Sequence, residues 1–354
     1  MAPADGPVEP VGVHGASGPA GGVQPPPARA PLTGPVPAVD AHHHLWDRPG
    51  WRYLFEEYLT DIRESGHAVQ ATVYMQSQAM YRADGPAAFR VVGETEFANG
   101  VAAMAASGLY GPARVCAGII GHVDLRAGAA VDDVLEDHIR AGGDRFRGVR
   151  HLTTWDADAS LMNPLSAGPP GLLADGAFRA GFACLAPRNL SYDAWLFHPQ
   201  LNELTDLARA FPATTIILNH CGGVLGIGAY AGRRDEVFAN WAKAIRTLAE
   251  CPNVVVKLGG LGMRINGFGF EAGALPPSSE DLARTWRPYI ETCIDAFGPA
   301  RCMFESNFPV DKGSYGYGTV WNSFKRLTMQ AGEEEVAALF SGTAARIYAV
   351  AIKP

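Results

Sequence analysis

The segment AVDAHHHLWD puts His42, His43 and His44 in succession after a short apolar start. On an extended strand residues i and i+2 share a face, so His42 and His44 converge on one side while His43 points to the other. Two imidazoles side by side are a donor set for a divalent ion of intermediate softness, zinc or similar; the alternative is a hydrogen-bonded core pair. Chemically capable side chains recur at the ends of the later apolar runs: Gln76, His122, Arg150 with His151, His198, His220, Lys257, and Glu305 with Asn307. Six of the ten histidines fall at such ends, a concentration that scattered structural histidines would not show. Gln76, Arg82, Arg150, His151 and Lys257 suit the binding of substrate carboxylates or hydroxyls, arginine in bidentate fashion. Arg150 and His151 are adjacent, so on a regular strand only one of them faces inward. Glu305 shares a face with Asn307 and is read either as a partner of Lys257 or Arg150, or as a general base or metal ligand, because an inward carboxylate must be paired, protonated or metal-bound. Asp311 and Asp47 are weaker candidates for the base, since both fall in loops.

The elements that must position these groups alternate. Eight β-rich runs are predicted at Val36–Ala41, Ala71–Gln76, Arg114–His122, Phe146–Leu152, Ser191–His198, Thr214–His220, Asn253–Leu258 and Arg301–Asn307. Helical periodicity lies between and after them, at Val91–Ala106, Val131–Ala141, Gln200–Ala210, Asp235–Ala249, Ser279–Phe297, Thr319–Met329 and Glu333–Phe340. Nearly continuous apolar runs such as VCAGII and TTIIL read as strands covered on both faces. Eight strand–helix units imply a parallel sheet closed into a distorted (β/α)₈ barrel over residues 38–354, whose strand ends face the active-site mouth. No GxGxxG follows the first strand, which speaks against an open dinucleotide-binding sheet. Trp46, Trp51, Tyr53, Phe55 and Tyr58 are expected in a long loop after the first strand, packing together or roofing a pocket.

Residues 1–37 differ in kind. They hold ten prolines and seven glycines with only Asp5, Glu9 and Arg29 charged, and read as a disordered tail. Over 354 residues the net charge is −7 with no basic run, so nucleic acid is not an expected partner. No apolar stretch is long enough for a membrane span, and no secretory signal is visible at the start. Six cysteines without paired spacing read as buried thiols of a reducing compartment, hence a cytoplasmic expectation. A small-molecule substrate is expected, and assembly into a homo-oligomer is left open.

At this point the residues resemble a known family. AVDAHHHLWD, YDAWLFHPQ, IILNHCGG, NVVVKLGGL and RCMFESNFPVD are similar, over about residues 38–348, to the amidohydrolase-related branch of the TIM-barrel metal-dependent hydrolases. That branch includes dicarboxylate and sugar lactonases. The resemblance implies that His42 and His44 are the first-strand metal pair, that His198 is a further ligand, and that His220 orients water or polarises substrate. It also implies that Asn307 stands where the family usually carries an Asp that activates water; an amide has no basic lone pair at neutral pH. One divalent ion is implied, although some lactonases of the branch work without metal. The leading reading is a hydrolase opening a small cyclic ester, or a related C–O or C–N bond, with His220, Glu305 and Asn307 catalytic. The alternatives are a non-oxidative decarboxylase or lyase on the same scaffold, and a degenerate barrel that only binds a ligand.

Overall fold

The computed structural model describes Leu32 and residues 34–352. The predicted tail, residues 1–37, lies for the most part outside the described residues. All eight predicted strands are present and pair in parallel in chain order: β1 (Ala38–His43), β2 (Val69–Met75), β3 (Arg114–Gly121), β4 (Phe146–Val149), β5 (Ser191–Ala194), β6 (Ile216–Leu218), β7 (Val254–Leu258) and β8 (Cys302–Phe304). The sheet closes through backbone: the Asn307 amide donates to the His42 carbonyl at 3.0 Å and the His44 amide to the Phe308 carbonyl at 2.8 Å. The fold is therefore a (β/α)₈ barrel. Among the described residues no helix is long and apolar enough to cross a membrane.

Several strands are shorter than their apolar runs. β4 ends at Val149, β5 at Ala194 and β8 at Phe304, so Arg150, Trp195, His198, Glu305 and Asn307 follow the strands instead of lying in them. The aromatic stretch after β1 is not a plain loop either. Trp46–Arg48 pairs antiparallel with Trp51–Tyr53, and Phe55–Ser65 is a helix.

Val39, Ala41, Ala71, Val73, Met75, Ile217, Val255 and Met303 fill the barrel's lower interior, against Tyr348 and Val350 of the C-terminal segment. Along β1 the alternation then breaks. Val39 and Ala41 face in, yet so do His42 and His44, while His43 turns outward to Thr72 and Tyr58. The break falls where the register with β2 shifts between Asp40 and His43. Without that irregularity strict alternation would have turned His43 inward.

Asp40, fully buried outside the barrel wall, fixes the seam. It accepts hydrogen bonds from Ser306 Oγ (2.6 Å), Tyr58 OH (2.7 Å), Ser306 N (2.9 Å), Tyr317 OH (2.9 Å) and His42 N (3.3 Å). One carboxylate thus ties β1, the end of β8 and two outer helices together. Removing it strands several buried donors at ~1–3 kcal/mol each. Asp40→Ala is expected to lose at least ~3 kcal/mol in urea denaturation, and Tyr58→Phe about 1 kcal/mol. An Asp40→Ala protein as stable as the parent would show that the seam is held by something else.

Candidate active site

The centre of the site is a buried carboxylate between two imidazoles. Glu305 Oε1 accepts from His220 Nδ1 at 2.7 Å and from the His220 backbone amide at 3.0 Å. Glu305 Oε2 lies 3.0 Å from His42 Nδ1 but has no partner with hydrogen-bond geometry. The His42 and His220 rings are 4.4 Å apart. His42 Nε2 meets His44 Nε2 at 3.1 Å, and His44 Nδ1 donates to the Met75 carbonyl at 2.9 Å. Inward His42 and His44 are therefore neighbours, as their spacing predicts.

Two buried cations flank this cluster. Arg150 Nη1 is 3.2 Å from His42 Nε2, and its Nη2 donates to the Gln76 carbonyl at 2.5 Å. Lys257 Nζ approaches His42 Nδ1 at 3.4 Å and pairs with Asp193 Oδ1 at 2.7 Å. Asp193 also accepts from Asn219 Nδ2 (2.9 Å) and Tyr348 OH (3.0 Å). The charges therefore alternate up the barrel: Asp193, Lys257, Glu305, Arg150. Burial pushes the His42 and His44 pKa values well below the usual imidazole range, and the neighbouring cations add to it. Burial also lowers His220, with Glu305 opposing the shift. Burial brings Arg150 down to about 10, and lowers Lys257 against the pull of Asp193.

Backbone shapes the site as much as side chains do. His220 has φ +55°, a left-handed conformation that turns its ring back over the end of β6. A Cβ at Gly260, itself at φ +63°, would overlap the His220 ring, and one at Gly259 would overlap Glu305. Only glycine leaves room there for both groups.

A cavity of about 610 Å³ opens above the cluster, lined by His44, Gln76, Arg150, His220 and Asn307 with Trp46, Trp51 and Trp195 as aromatic walls. Trp195 packs edge-on against His220, with ring centroids 4.8 Å apart. Glu305 and Lys257 lie beneath the lining.

Three expected site residues are not brought in. His198 begins a helical turn four residues past β5; its Nδ1 accepts from the Leu225 amide at 3.3 Å and its ring faces Tyr230. His151 faces outward, as its adjacency to inward Arg150 requires, and accepts from the Leu125 amide at 3.1 Å. Arg82 is held in ion pairs by Glu96 and Asp137, outside the cavity lining. Among the described residues, the cluster that could hold a metal ion is His42, His220 and Glu305, with ligand atoms within 4.8 Å of one another, where the expected set was His42, His44 and His198. Two groups carry more of the site than their sequence context suggests. Asp193 is a lone acid in the short run SYDAWL. Asp311, in a loop by sequence, is fully buried and pushed up to about 7 by burial.

The family model described as amidohydrolase matches residues 39–350. The chain belongs to this family. It is 34% identical to the uncharacterized protein y4mH of Sinorhizobium fredii, over 89% of this chain and 99% of that one. It is 29% identical to an L-fucono-1,5-lactonase of Burkholderia multivorans, over 88% of this chain and 96% of that one. Among solved structures it is similar to a Burkholderia multivorans amidohydrolase with bound zinc, at 26% identity and TM-score 0.69, over 89% of this chain and all of that one. A 5-carboxyvanillate decarboxylase from Sphingomonas paucimobilis, at 13% identity and TM-score 0.51 over 89% and 99%, shares the fold. The protein is an amidohydrolase-family enzyme of the hydrolase kind.

Gly260→Ala tests the packing of this enzyme's site. A methyl there must displace His220, and a shift of about 1 Å in a catalytic group costs on the order of 10²-fold. The expected result is a loss of that size in kcat/KM, with far-ultraviolet circular dichroism unchanged. Full activity would place His220 outside the reaction.

Proposed function

We propose that the enzyme opens a small lactone by hydrolysis, with His220 as general base and Glu305 as the group that orients it. The observation that carries this is the 2.7 Å bond from His220 Nδ1 to Glu305 Oε1, in a ring that also lines the cavity. An ionised carboxylate only accepts, so the proton sits on Nδ1 and the cavity-side Nε2 keeps its lone pair. Sequence reasoning offers Glu305 as the base itself. Its complete burial beneath the cavity lining favours the orienting role instead.

In the reaction, Nε2 of His220 takes a proton from water as the water oxygen attacks the lactone carbonyl carbon. Negative charge grows on the carbonyl oxygen. Arg150 faces it from the cavity wall, fixed by its bond to the Gln76 carbonyl, in surroundings dry enough to strengthen the attraction. The ring C–O bond then breaks, and the proton on His220 passes to the departing alkoxide. The product is an open-chain hydroxy acid. Trp46, Trp51 and Trp195 offer apolar faces for the ring of the substrate.

The donor chemistry of His42, His220 and Glu305, with one Glu305 oxygen lacking a hydrogen-bond partner, also fits a divalent ion. Bound there, such an ion would supply Lewis-acid polarisation of the carbonyl. His220 and Glu305 would then serve as ligands, so the pairing of base and orienter describes the metal-free site.

The test is a panel of lactones assayed with product mass, which must rise by one water. Glu305→Gln keeps the shape and removes the charge that fixes the tautomer; kcat is expected to fall by at least ~10²-fold. Activity is expected to persist after exhaustive chelation with metal content verified as nil. Unchanged kcat in Glu305→Gln would end the dyad reading, and activity that tracks metal content would transfer the chemistry to the ion.

A further inference from the structure

Asn307 follows β8 at φ +55°, a left-handed conformation that asparagine tolerates better than most residues. It lines the cavity. Its Nδ2 donates to Asp311 Oδ1 at 3.0 Å. Asp311 is fully buried, and its Oδ2 accepts from Tyr315 OH at 2.5 Å and the Gly262 amide at 3.1 Å. All three neighbours of Asp311 are placed as donors to it, so in its ionised form it selects one orientation of the Asn307 amide: nitrogen toward Asp311, carbonyl away from it. That carbonyl oxygen, Asn307 Oδ1, is buried without a hydrogen-bond partner. Gln76 repeats the pattern. Its Nε2 is engaged with the Arg150 carbonyl at 3.4 Å, while its Oε1 is buried and unpartnered in the lining of the same cavity.

Buried acceptors left unpaired are costly, and a cavity that holds two of them discriminates for ligands that bring donors. Neither amide can bind a proton at neutral pH, so neither serves as a base. Aromatic walls beside such acceptors suit a ring with apolar faces and hydroxyls at its edge.

We propose that Asp311 is a positioning residue that locks Asn307 with its carbonyl toward the cavity, and that Asn307 and Gln76 together read hydroxyl donors on a cyclic, polyhydroxylated substrate. This deepens the lactonase reading and rests on it for the substrate's ester. It also changes what Asn307→Asp should do. A second carboxylate at position 307 would lie about 3 Å from Asp311, whose own pKa is already raised to about 7, and like charges at that distance share one proton.

The discriminating variants are Asp311→Asn and the double exchange Asn307→Asp/Asp311→Asn. In the single variant the amide introduced at position 311 can keep the bonds to Tyr315 and Gly262 through its carbonyl. Its nitrogen then faces Asn307, which must reverse and turn a donor toward the cavity. In the double variant the amide nitrogen at position 311 donates to the carboxylate introduced at position 307, whose other oxygen again faces the cavity as an acceptor. Two ligands separate the hydroxyl claim from the ester claim. The first comparison is kcat/KM for a hydroxylated aldono-1,5-lactone against unsubstituted δ-valerolactone. The second is calorimetric binding of 1,5-anhydroglucitol, a cyclic polyol with no ester, against tetrahydropyran.

The parent is expected to prefer the hydroxylated member of each pair. Asp311→Asn should lower that preference about tenfold, through KM more than kcat, and the double exchange should restore most of it. Polyol binding that follows this order without turnover of any lactone would uphold the acceptors and overturn the lactonase reading. Equal preference in all three proteins, or a double exchange as impaired as the single one, would overturn the proposal.

Discussion

A carboxylate in the interior of a barrel is the constraint on which this site depends. Glu305 is fully buried, and an isolated charge there would be very costly. The chain meets that cost with the His220 ring and backbone amide, with His42 alongside, and with two cations, Arg150 and Lys257, flanking the cluster. Each cation needs its own support. Asp193 holds Lys257, and Tyr348 and Asn219 hold Asp193. The result is a ladder of alternating charge running from the C-terminal plug to the cavity floor. Breaking one rung leaves a buried charge unpaired, which is why the ladder is a single unit and not a set of independent pairs.

The barrel's closure serves this ladder. Glu305 belongs to the end of β8 and His42 to β1, and their approach needs the last strand to meet the first in one register. Asp40 supplies it by accepting from Ser306, between Glu305 and Asn307, and from the His42 amide. On the other flank of β8, just past the end of β7, Gly259 and Gly260 lack the side chains that would overlap Glu305 and His220. Packing, strand register and site chemistry are thus decided by the same few residues.

Much of this is legible in the sequence. Eight apolar runs with helical stretches between them specify the barrel, because parallel strands covered on both faces have no polar side to show. Period-2 reasoning at strand ends pairs His42 with His44 and lets only one of Arg150 and His151 face inward, without saying which, while Lys257 stands out as a lone cation in an apolar run. Other features depend on where the strands stop. His198 lies four residues past the end of β5, and there the chain has left the extended conformation on which facing rules rely. The inward alternation of β1 holds for the histidines only because of a register irregularity that no residue type announces. Asp311 reads as a loop acid; it is bonded by Tyr315, four residues on, and by the Gly262 amide, a contact made by a distant segment.

The assignment of base and orienter rests on the tautomer of His220, which can be measured directly. In protein labelled with nitrogen-15 histidine and freed of metal, two-bond nitrogen–proton couplings at neutral pH report which ring nitrogen carries the proton. The bond to Glu305 predicts a neutral His220 with its proton on Nδ1 and a bare Nε2. A proton on Nε2, or a doubly protonated ring, would contradict it.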